Sequence, residues 1–301
     1  MPLHLDYRPR QFSDFVGNSQ MLKSLLSVID RPDKPRSYLF YGPSGTGKTT
    51  LARLLKDHFH CHDREFIEIN TASERGIDTS REIQDRMRFR PMNGYCKIFF
   101  IDEVGATTKA FQEALLKPLE DTPNYVYFIL CTTDPQKVLT TVKNRCSSFE
   151  VKRLSNIEMG QLIDYVLRGE KVNDIPDNII DMIINKAEGC PRQALVILDQ
   201  IIDLEINDME DAINSINTEE AEIRDLCQAL IKRLQWETVS KIIKGLSGEP
   251  ETIRRAVLGY MNAVLLNGNT SVVNIINEFV DNFYDSGKAG LSMACYMCVK
   301  K

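Results

Sequence analysis

Short, almost unbroken apolar runs alternate with helix-period stretches over the first half of the chain, a rhythm that predicts a parallel α/β sheet. The runs are Tyr38–Tyr41, Phe66–Asn70, Ile98–Asp102, Tyr125–Cys131 and Ser148–Val151. Each is short and apolar at nearly every position, as strands covered on both faces are. From about Leu154 the β signal fades, and Ile179, Ile180, Ile183 and Ile184 fall on one helical face. Further on, Leu291, Ala294, Cys295 and Cys298 make another apolar helical stripe. The pattern divides the chain into an α/β domain over 1–152, a small helical domain over 153–204 and an all-helical region over 205–301.

Composition narrows the class without naming a function. A chain of 301 residues with 43% hydrophobic and 26% charged positions has the balance of a globular protein. No apolar run approaches the roughly 18–20 residues that span a bilayer. The opening Met1-Pro-Leu-His-Leu-Asp-Tyr-Arg-Pro-Arg10 has no apolar signal region, so an intracellular, cytoplasmic location without membrane contact is expected. The 8 cysteines are scattered through apolar runs, which reads as reduced thiols rather than a disulfide framework. A formal charge of −5 argues against a free-standing basic DNA-binding domain but allows a local basic face.

The chemistry concentrates at strand ends. Gly42-Pro-Ser-Gly-Thr-Gly-Lys-Thr49, with Thr50 after it, lies between the first strand and a helix, the setting of a phosphate-binding loop. Gly42, Gly45 and Gly47 allow backbone angles that turn N–H groups toward an anion, with Pro43, Ser44 and Thr46 completing the loop. Lys48 is placed to reach the β- and γ-phosphates of ATP, and the Thr49 hydroxyl to ligate Mg2+. The third strand delivers Asp102 and Glu103 to its carboxyl end, where nucleotides bind in such sheets. An Asp-Glu pair alone more often ends a strand in solvent. Beside a phosphate loop, Asp102 reads as a second Mg2+ ligand and Glu103 as the group that orients or deprotonates water. Thr132 and Thr133 end the next strand, within reach of the γ-phosphate or the water.

The stretch from Asp102 to Asp121, the run Phe128–Lys137 and Asn144-Arg-Cys146 resemble the AAA+ clamp-loader ATPases of DNA replication. So does the opening Asp6-Tyr-Arg-Pro-Arg10 with Phe12 and Phe15-Val-Gly17, and the likeness extends over roughly residues 5 to 200. The likeness is to the bacterial polymerase III gamma/tau subunit and to the replication factor C small subunits. The resemblance implies an α/β ATPase domain, a helical lid and a C-terminal collar. It implies that Tyr7, Arg8, Pro9 and Val16 line the adenine side, that Thr133 is the sensor-1 residue and Arg192 the lid's sensor-2 arginine. Arg145 then matches an arginine that reaches a neighbouring subunit's ATP site. The implied partners are a sliding clamp, primer–template DNA and other loader subunits in a homo- or hetero-oligomer, expected to be pentameric. A Holliday-junction type motor and a silent scaffold subunit are the competing readings. Three positions depart from the family: Asn144 stands before the arginine in place of Ser, Gly105 in place of a His, and Pro191 precedes Arg192. Gly105 is expected to loosen its turn.

In the same family a helix here faces DNA, which makes Arg75 and Arg81, with Thr108 and Lys109 on the next helix, candidate phosphate contacts. Met87, Phe89 and Met92 form an apolar cluster at an expected tip, the position that docks on the clamp, although packing beneath the loop is an equal reading. His58, His60, Cys61 and His62 crowd together, but with one cysteine and no second ligand pair they read as a polar helix end. No metal beyond Mg2+ is expected.

Overall fold

A computed structural model describes residues 2–69, 71, 77–172, 175–215, 219–246, 248–284 and 286–300. Among them, the strands β1 (Ser37–Tyr41), β2 (Phe66–Ile69), β3 (Lys97–Ile101), β4 (Val126–Thr132) and β5 (Ser147–Glu150) form one parallel sheet in the order β2-β3-β4-β1-β5. All five runs read from the apolar pattern are strands, with ends shifted by a residue or so. Burial explains the pattern, because β1, β3 and β4 have covered side chains on both faces.

Alternate strand residues feed two cores. On one face Tyr38, Phe40, Ile98, Phe100 and Ile129 pack against Leu22, Leu25 and Ile29 of helix α2 and Leu51, Leu54 and Leu55 of α3. Here α1 is Leu3–Asp6, α2 Ser19–Ile29 and α3 Lys48–His58. On the other face Leu39, Phe99, Ile101, Phe128 and Leu130 meet Ile83 and Met87 of α4 (Ile77–Met87), Phe111, Leu115 and Leu119 of α5 (Lys109–Glu120), and Val142 of α6 (Thr140–Lys143). Fully burying one such side chain contributes about 1.5–3 kcal/mol, so the sheet position is decided by these two layers together.

Helices α7 (Asn156–Glu170), α8 (Asp177–Ala187), α9 (Pro191–Ile201) and α10 (Ile206–Ser215) follow. A capping box starts α7: Glu158 N–H donates to Ser155 Oγ (3.3 Å) and Ser155 N–H to Glu158 Oε2 (2.8 Å). On α8, Ile179, Ile183 and Ile184 are buried, as their spacing requires. Pro191 occupies the first turn of α9, where its missing N–H removes no helical bond.

The chain divides into two compact units between Ile213 and Asn214. The first therefore takes in most of α10, whose Met209 and Ile213 are buried. The second unit is helical among its described residues: α11 (Glu219–Ile231), α12 (Trp236–Gly245), α13 (Pro250–Leu266), α14 (Val273–Phe279) and α15 (Gly287–Val299). Its core gathers Leu226, Leu230, Val239, Val257, Met261 and Phe279 with the α15 stripe of Leu291, Ala294 and Cys295. Among the described residues, no helix is long and apolar enough to cross a membrane.

Glu251 ties α13 to the segment after α14. It accepts from Arg254 through both carboxylate oxygens (2.7 and 2.8 Å), from Arg255 Nε (3.0 Å) and from the Phe283 N–H (3.0 Å). The Arg254 hydrogen bond, then the Phe283 N–H, depress its carboxyl from 4.5 to about 2. A depressed carboxyl stabilises the fold above its unfolded value and loses that contribution as pH falls through the folded one. The second unit is therefore expected to lose stability between pH 4.5 and about 2, as followed by far-UV circular dichroism in denaturant. Glu251→Gln should flatten the acid limb of that profile; an unchanged limb contradicts this role for Glu251.

Candidate nucleotide site

Three adjacent strands, β3, β4 and β1, end side by side, and their registers pair Ile101 with Leu130 and Tyr41 with Thr132. Parallel neighbours lie about 4.8 Å apart, so the loops after these strands share one short edge of the sheet. Asp102 and Glu103 follow β3, Thr133 follows β4, and the glycine-rich loop follows β1. Residues separated by more than fifty positions in sequence thereby face one cavity of about 290 Å3.

The loop after β1 needs its glycines. Gly42, Gly45 and Gly47 have φ of 145°, 71° and 104°, a region costly for side chains. A Cβ on Gly42 would lie 2.1 Å from the Val151 carbonyl oxygen, and one on Gly45 2.4 Å from Cys190 Sγ. Within the loop, Lys48 Nζ donates to the carbonyls of Gly42 and Pro43 (both 2.8 Å), and Thr46 Oγ1 donates to Pro43 O (2.9 Å). Gly42 and Pro43 thus form the back of the loop, while Ser44, Gly45, Thr46, Gly47, Lys48, Thr49 and Thr50 line the cavity.

Thr49 Oγ1 donates to Asp102 Oδ2 at 3.0 Å. A hydroxyl and a carboxylate are the hard oxygen donors Mg2+ selects, and adjacent ligands of an octahedral ion at about 2.1 Å are about 3 Å apart. The pair fits that ion. Glu103 has φ +52°, a left-handed conformation held for a residue with a side chain. Its Oε2 accepts from both the N–H (2.9 Å) and Oγ1 (3.0 Å) of Thr133. Glu103 lines the cavity, and Thr133 acts on it by orienting that carboxylate.

Cations converge on the same space. Lys48, Arg8 and Arg192 all line the cavity. Burial lowers the Lys48 ammonium from its usual range, with Glu103 the largest opposing charge. Burial likewise lowers the Arg8 guanidinium, and the neighbouring Arg53 and Arg192 cations lower it further. Cations gathered in one partly buried cavity suit a polyanion. The amino end of α9 is held against the loop: Arg192 N–H points at Gly45 O (3.5 Å) and Cys190 Sγ at Ser44 O (3.7 Å). The apolar wall is made by Pro9 and Val16 together with Leu154, Leu162 and Leu195. Tyr7 also lines the cavity. Leu162 and Leu195 carried no signal of a site, since apolar residues at helical spacing look like core, and Leu154, His4 and Asp14 belong to no motif that could have singled them out.

Other expected positions lie elsewhere. Arg145 is outside this cavity, where it donates to Glu120 Oε2 (2.9 Å) and the Thr141 carbonyl (3.1 Å). Arg75 lies outside the described residues. Arg81 is exposed on α4, Thr108 accepts from the Phe111 N–H as cap of α5 (3.2 Å), and Lys109 faces Glu113 at 3.7 Å.

The expected apolar tip needs a correction. Met87 is buried in the sheet core, where it packs with Ile83 and Phe99, so its side chain is no part of an exposed surface. Phe89 and Met92 are exposed by 69% and 94%, and Tyr95, unnoticed in the sequence, joins them at 83%. Their loop is braced from behind by a buried pair, Lys97 Nζ and Glu65 Oε2 at 3.7 Å. Lys97 donates to the carbonyls of Arg86 (3.0 Å) and Phe89 (3.1 Å), while Glu65 Oε1 accepts from the Met92 N–H (2.7 Å).

Among the described residues, no cluster of three or more His, Cys, Asp or Glu is placed to hold a metal ion. His58 faces Asp30 at 3.4 Å, and Cys61 Sγ points at the Cys96 carbonyl (3.5 Å) inside the core.

Gly105 does not loosen its turn. A Cβ there would lie 2.7 Å from Thr132 Oγ1 and 3.0 Å from Asp134 O, so glycine lets the β3 and β4 loops close on each other. Buried Gln112 locks the same turn, donating to Val104 O (3.3 Å) and Lys137 O (3.2 Å) while accepting from the Leu139 N–H (2.8 Å). Gly105→Ala should therefore cost about 1–3 kcal/mol of stability, read from denaturant midpoints. A neutral substitution would show that the turn has slack.

Two family models match parts of the chain: DNA polymerase III, delta subunit, over residues 65–155, and the Sigma-54 interaction domain over residues 15–78. DNA polymerase III subunit tau of Bacillus subtilis is 31% identical over 234 residues, which is 70% of this chain and 41% of that protein. Subunit tau of Escherichia coli is 32% identical over 217 residues, 65% of this chain and 34% of that protein. The matched part of the chain thus spans between a third and two fifths of these relatives' length. In fold, the Holliday junction branch migration motor RuvB of Thermotoga maritima superposes with a TM-score of 0.60 at 17% identity, covering 78% of this chain and 84% of that one; at this identity the likeness is one of fold alone. By sequence the chain is therefore a relative of the DNA polymerase III tau subunits.

Proposed function

We propose that the chain is the ATP-hydrolysing motor subunit of a sliding-clamp loader, with ATP binding opening the clamp for loading on primer–template DNA and hydrolysis releasing it. The observation that carries the catalytic half is the meeting, in one cavity, of Lys48, the Thr49–Asp102 oxygen pair and a Glu103 carboxylate held by Thr133. In this reading the loop N–H groups and Lys48 hold the β- and γ-phosphates, and Arg192 brings α9 onto them. Thr49 and Asp102 would hold Mg2+, which would supply positive charge beside the phosphates. Glu103 accepts a proton from the attacking water, and its two bonds to Thr133 aim it.

The clamp-loading half rests on the relationship to DNA polymerase III subunits and on two surfaces. Phe89, Met92 and Tyr95 stand on a loop anchored by a buried ion pair, an arrangement that displays apolar anchors for a protein groove. Arg81, Thr108 and Lys109, with Arg75, are the proposed contacts to DNA phosphates. Arg145, outside its own cavity, is proposed to complete the site of a neighbouring subunit, which makes turnover depend on assembly. The helices of 153–204 then act as the lid and 205–301 as the oligomerising collar, in a cytoplasmic complex with the clamp, DNA and other loader subunits. Intact Lys48, Thr49, Asp102 and Glu103 count against a silent scaffold.

Glu103→Gln should lower ATP turnover by at least about 10²-fold while leaving nucleotide binding within about twofold, measured by phosphate release and fluorescent-nucleotide titration. Unchanged hydrolysis would refute the role of Glu103. The double variant Phe89→Ala, Met92→Ala should retain ATP binding and lose stimulation of turnover by the clamp. An ATPase indifferent to both clamp and recessed primer ends would favour the branch-migration type of motor.

A further inference from the structure

The segment Leu3–Pro9 does more than wall the cavity. Its helix α1 packs on α9, and the Leu3 N–H donates to Asp199 Oδ1 of that helix at 3.0 Å. At the end of α1 the Tyr7 hydroxyl donates to Glu170 Oε1, the last residue of α7, at 2.6 Å. The Tyr7 ring meets Tyr165, on the same helix, edge-on at 5.9 Å. The hydroxyl lies so close to the α7 backbone that a Cβ on Gly169 would be 2.2 Å from it. Glycine in the last turn of a helix costs about 1 kcal/mol against alanine, and here the close approach of a phenol is the reason for it. The bond to Glu170 also raises the Tyr7 phenol to about 12, so Tyr7 remains a donor at neutral pH.

Directly after Tyr7, Arg8 and Pro9 enter the cavity lining beside Leu162 of α7 and Arg192 and Leu195 of α9. The strap is thus pinned to α7 by one bond and to α9 by another, and its continuation faces the ligand space. Neither Gly169 nor Glu170 lines that space.

We infer that Tyr7, Gly169 and Glu170 form a latch that seats the amino-terminal strap on α7 and so sets the wall against which the base of a nucleotide packs. The inference rests on the nucleotide reading above and assigns Gly169 and Glu170 as positioning residues that act through the strap. The loop after β1 and Lys48 hold the phosphates, with Arg8 of the strap one cation among three, so the latch bears more on the nucleoside than on the phosphates. Loss of the latch therefore weakens ATP selectively relative to a ligand that has phosphates and no base.

Calorimetric titration of the full chain with Mg-ATP and with Mg-tripolyphosphate separates the two contributions. Glu170→Ala and Gly169→Ala are expected to raise the Kd for ATP by about 3–10-fold, the range of one polar bond near the surface, with a clearly smaller loss for tripolyphosphate. Glu170→Gln, whose amide oxygen still accepts from Tyr7, should recover most of the ATP affinity. Unchanged ATP affinity in both alanine variants overturns the latch. So does an equal loss for both ligands, the mark of general loosening. Failure of the unsubstituted chain to bind either ligand overturns the nucleotide reading itself, and the latch with it.

Discussion

Everything at the candidate site depends on three parallel strands ending together. Because β4 lies between β1 and β3, the chain's phosphate loop, its Asp102-Glu103 pair and Thr133 emerge from neighbouring strand ends. Their separation is set by main-chain hydrogen bonding rather than by side-chain reach, which is why oxygens from Thr49 and Asp102 can stand 3.0 Å apart across 53 positions of sequence. The aromatic layers on both faces, Phe99 on Phe128 and Phe59 on Tyr127 among them, hold that sheet rigid. A site of this kind needs rigidity, since donors aimed at developing charge act without reorganising.

Two closures then narrow the space above the strand ends. Glycines at 42, 45 and 105 let backbones approach where any Cβ would collide. The helices after the sheet and the turn before them bring in Arg192 and three leucines, and the amino-terminal strap brings in Arg8 and Pro9. Strap and α9 thus each supply one cation and one apolar residue, while the loop after β1 supplies the phosphate-facing backbone.

The loop bearing Phe89, Met92 and Tyr95 shows how a surface can be held as firmly as a core. Lys97 and Glu65 are almost wholly covered, and a buried pair persists only when its remaining donors and acceptors are satisfied. The carbonyls of Arg86 and Phe89 and the Met92 N–H supply those partners. Loop and ion pair therefore stabilise each other, and apolar side chains stay in solvent because the backbone beneath them is fixed.

Much of this was legible in the residues alone. The strands declared themselves through continuous apolar runs, because a strand covered on both faces has no polar side to show. Gly42–Thr49 is contiguous, so its geometry is encoded locally and its chemistry could be read directly; Asp102-Glu103 gained meaning only beside it. The helical stripes at Ile179–Ile184 and Leu291–Cys298 were equally plain. What sequence left open was which face of a residue would meet what. Met87 and Met92 are both apolar neighbours of Phe89, yet one is buried under the sheet and the other stands in water, since only the fold decides where α4 ends and its loop begins. Leu154, Leu162 and Leu195 look like core until α7, the turn before it and α9 are brought beside the phosphate loop. Gly105 looked like slack and proved to be a contact, and nothing in the sequence marked Gly169 as the place where Tyr7 crosses α7. Local backbone chemistry is written in consecutive residues; burial and close approach are properties of pairs far apart in the chain, and only the tertiary structure decides them.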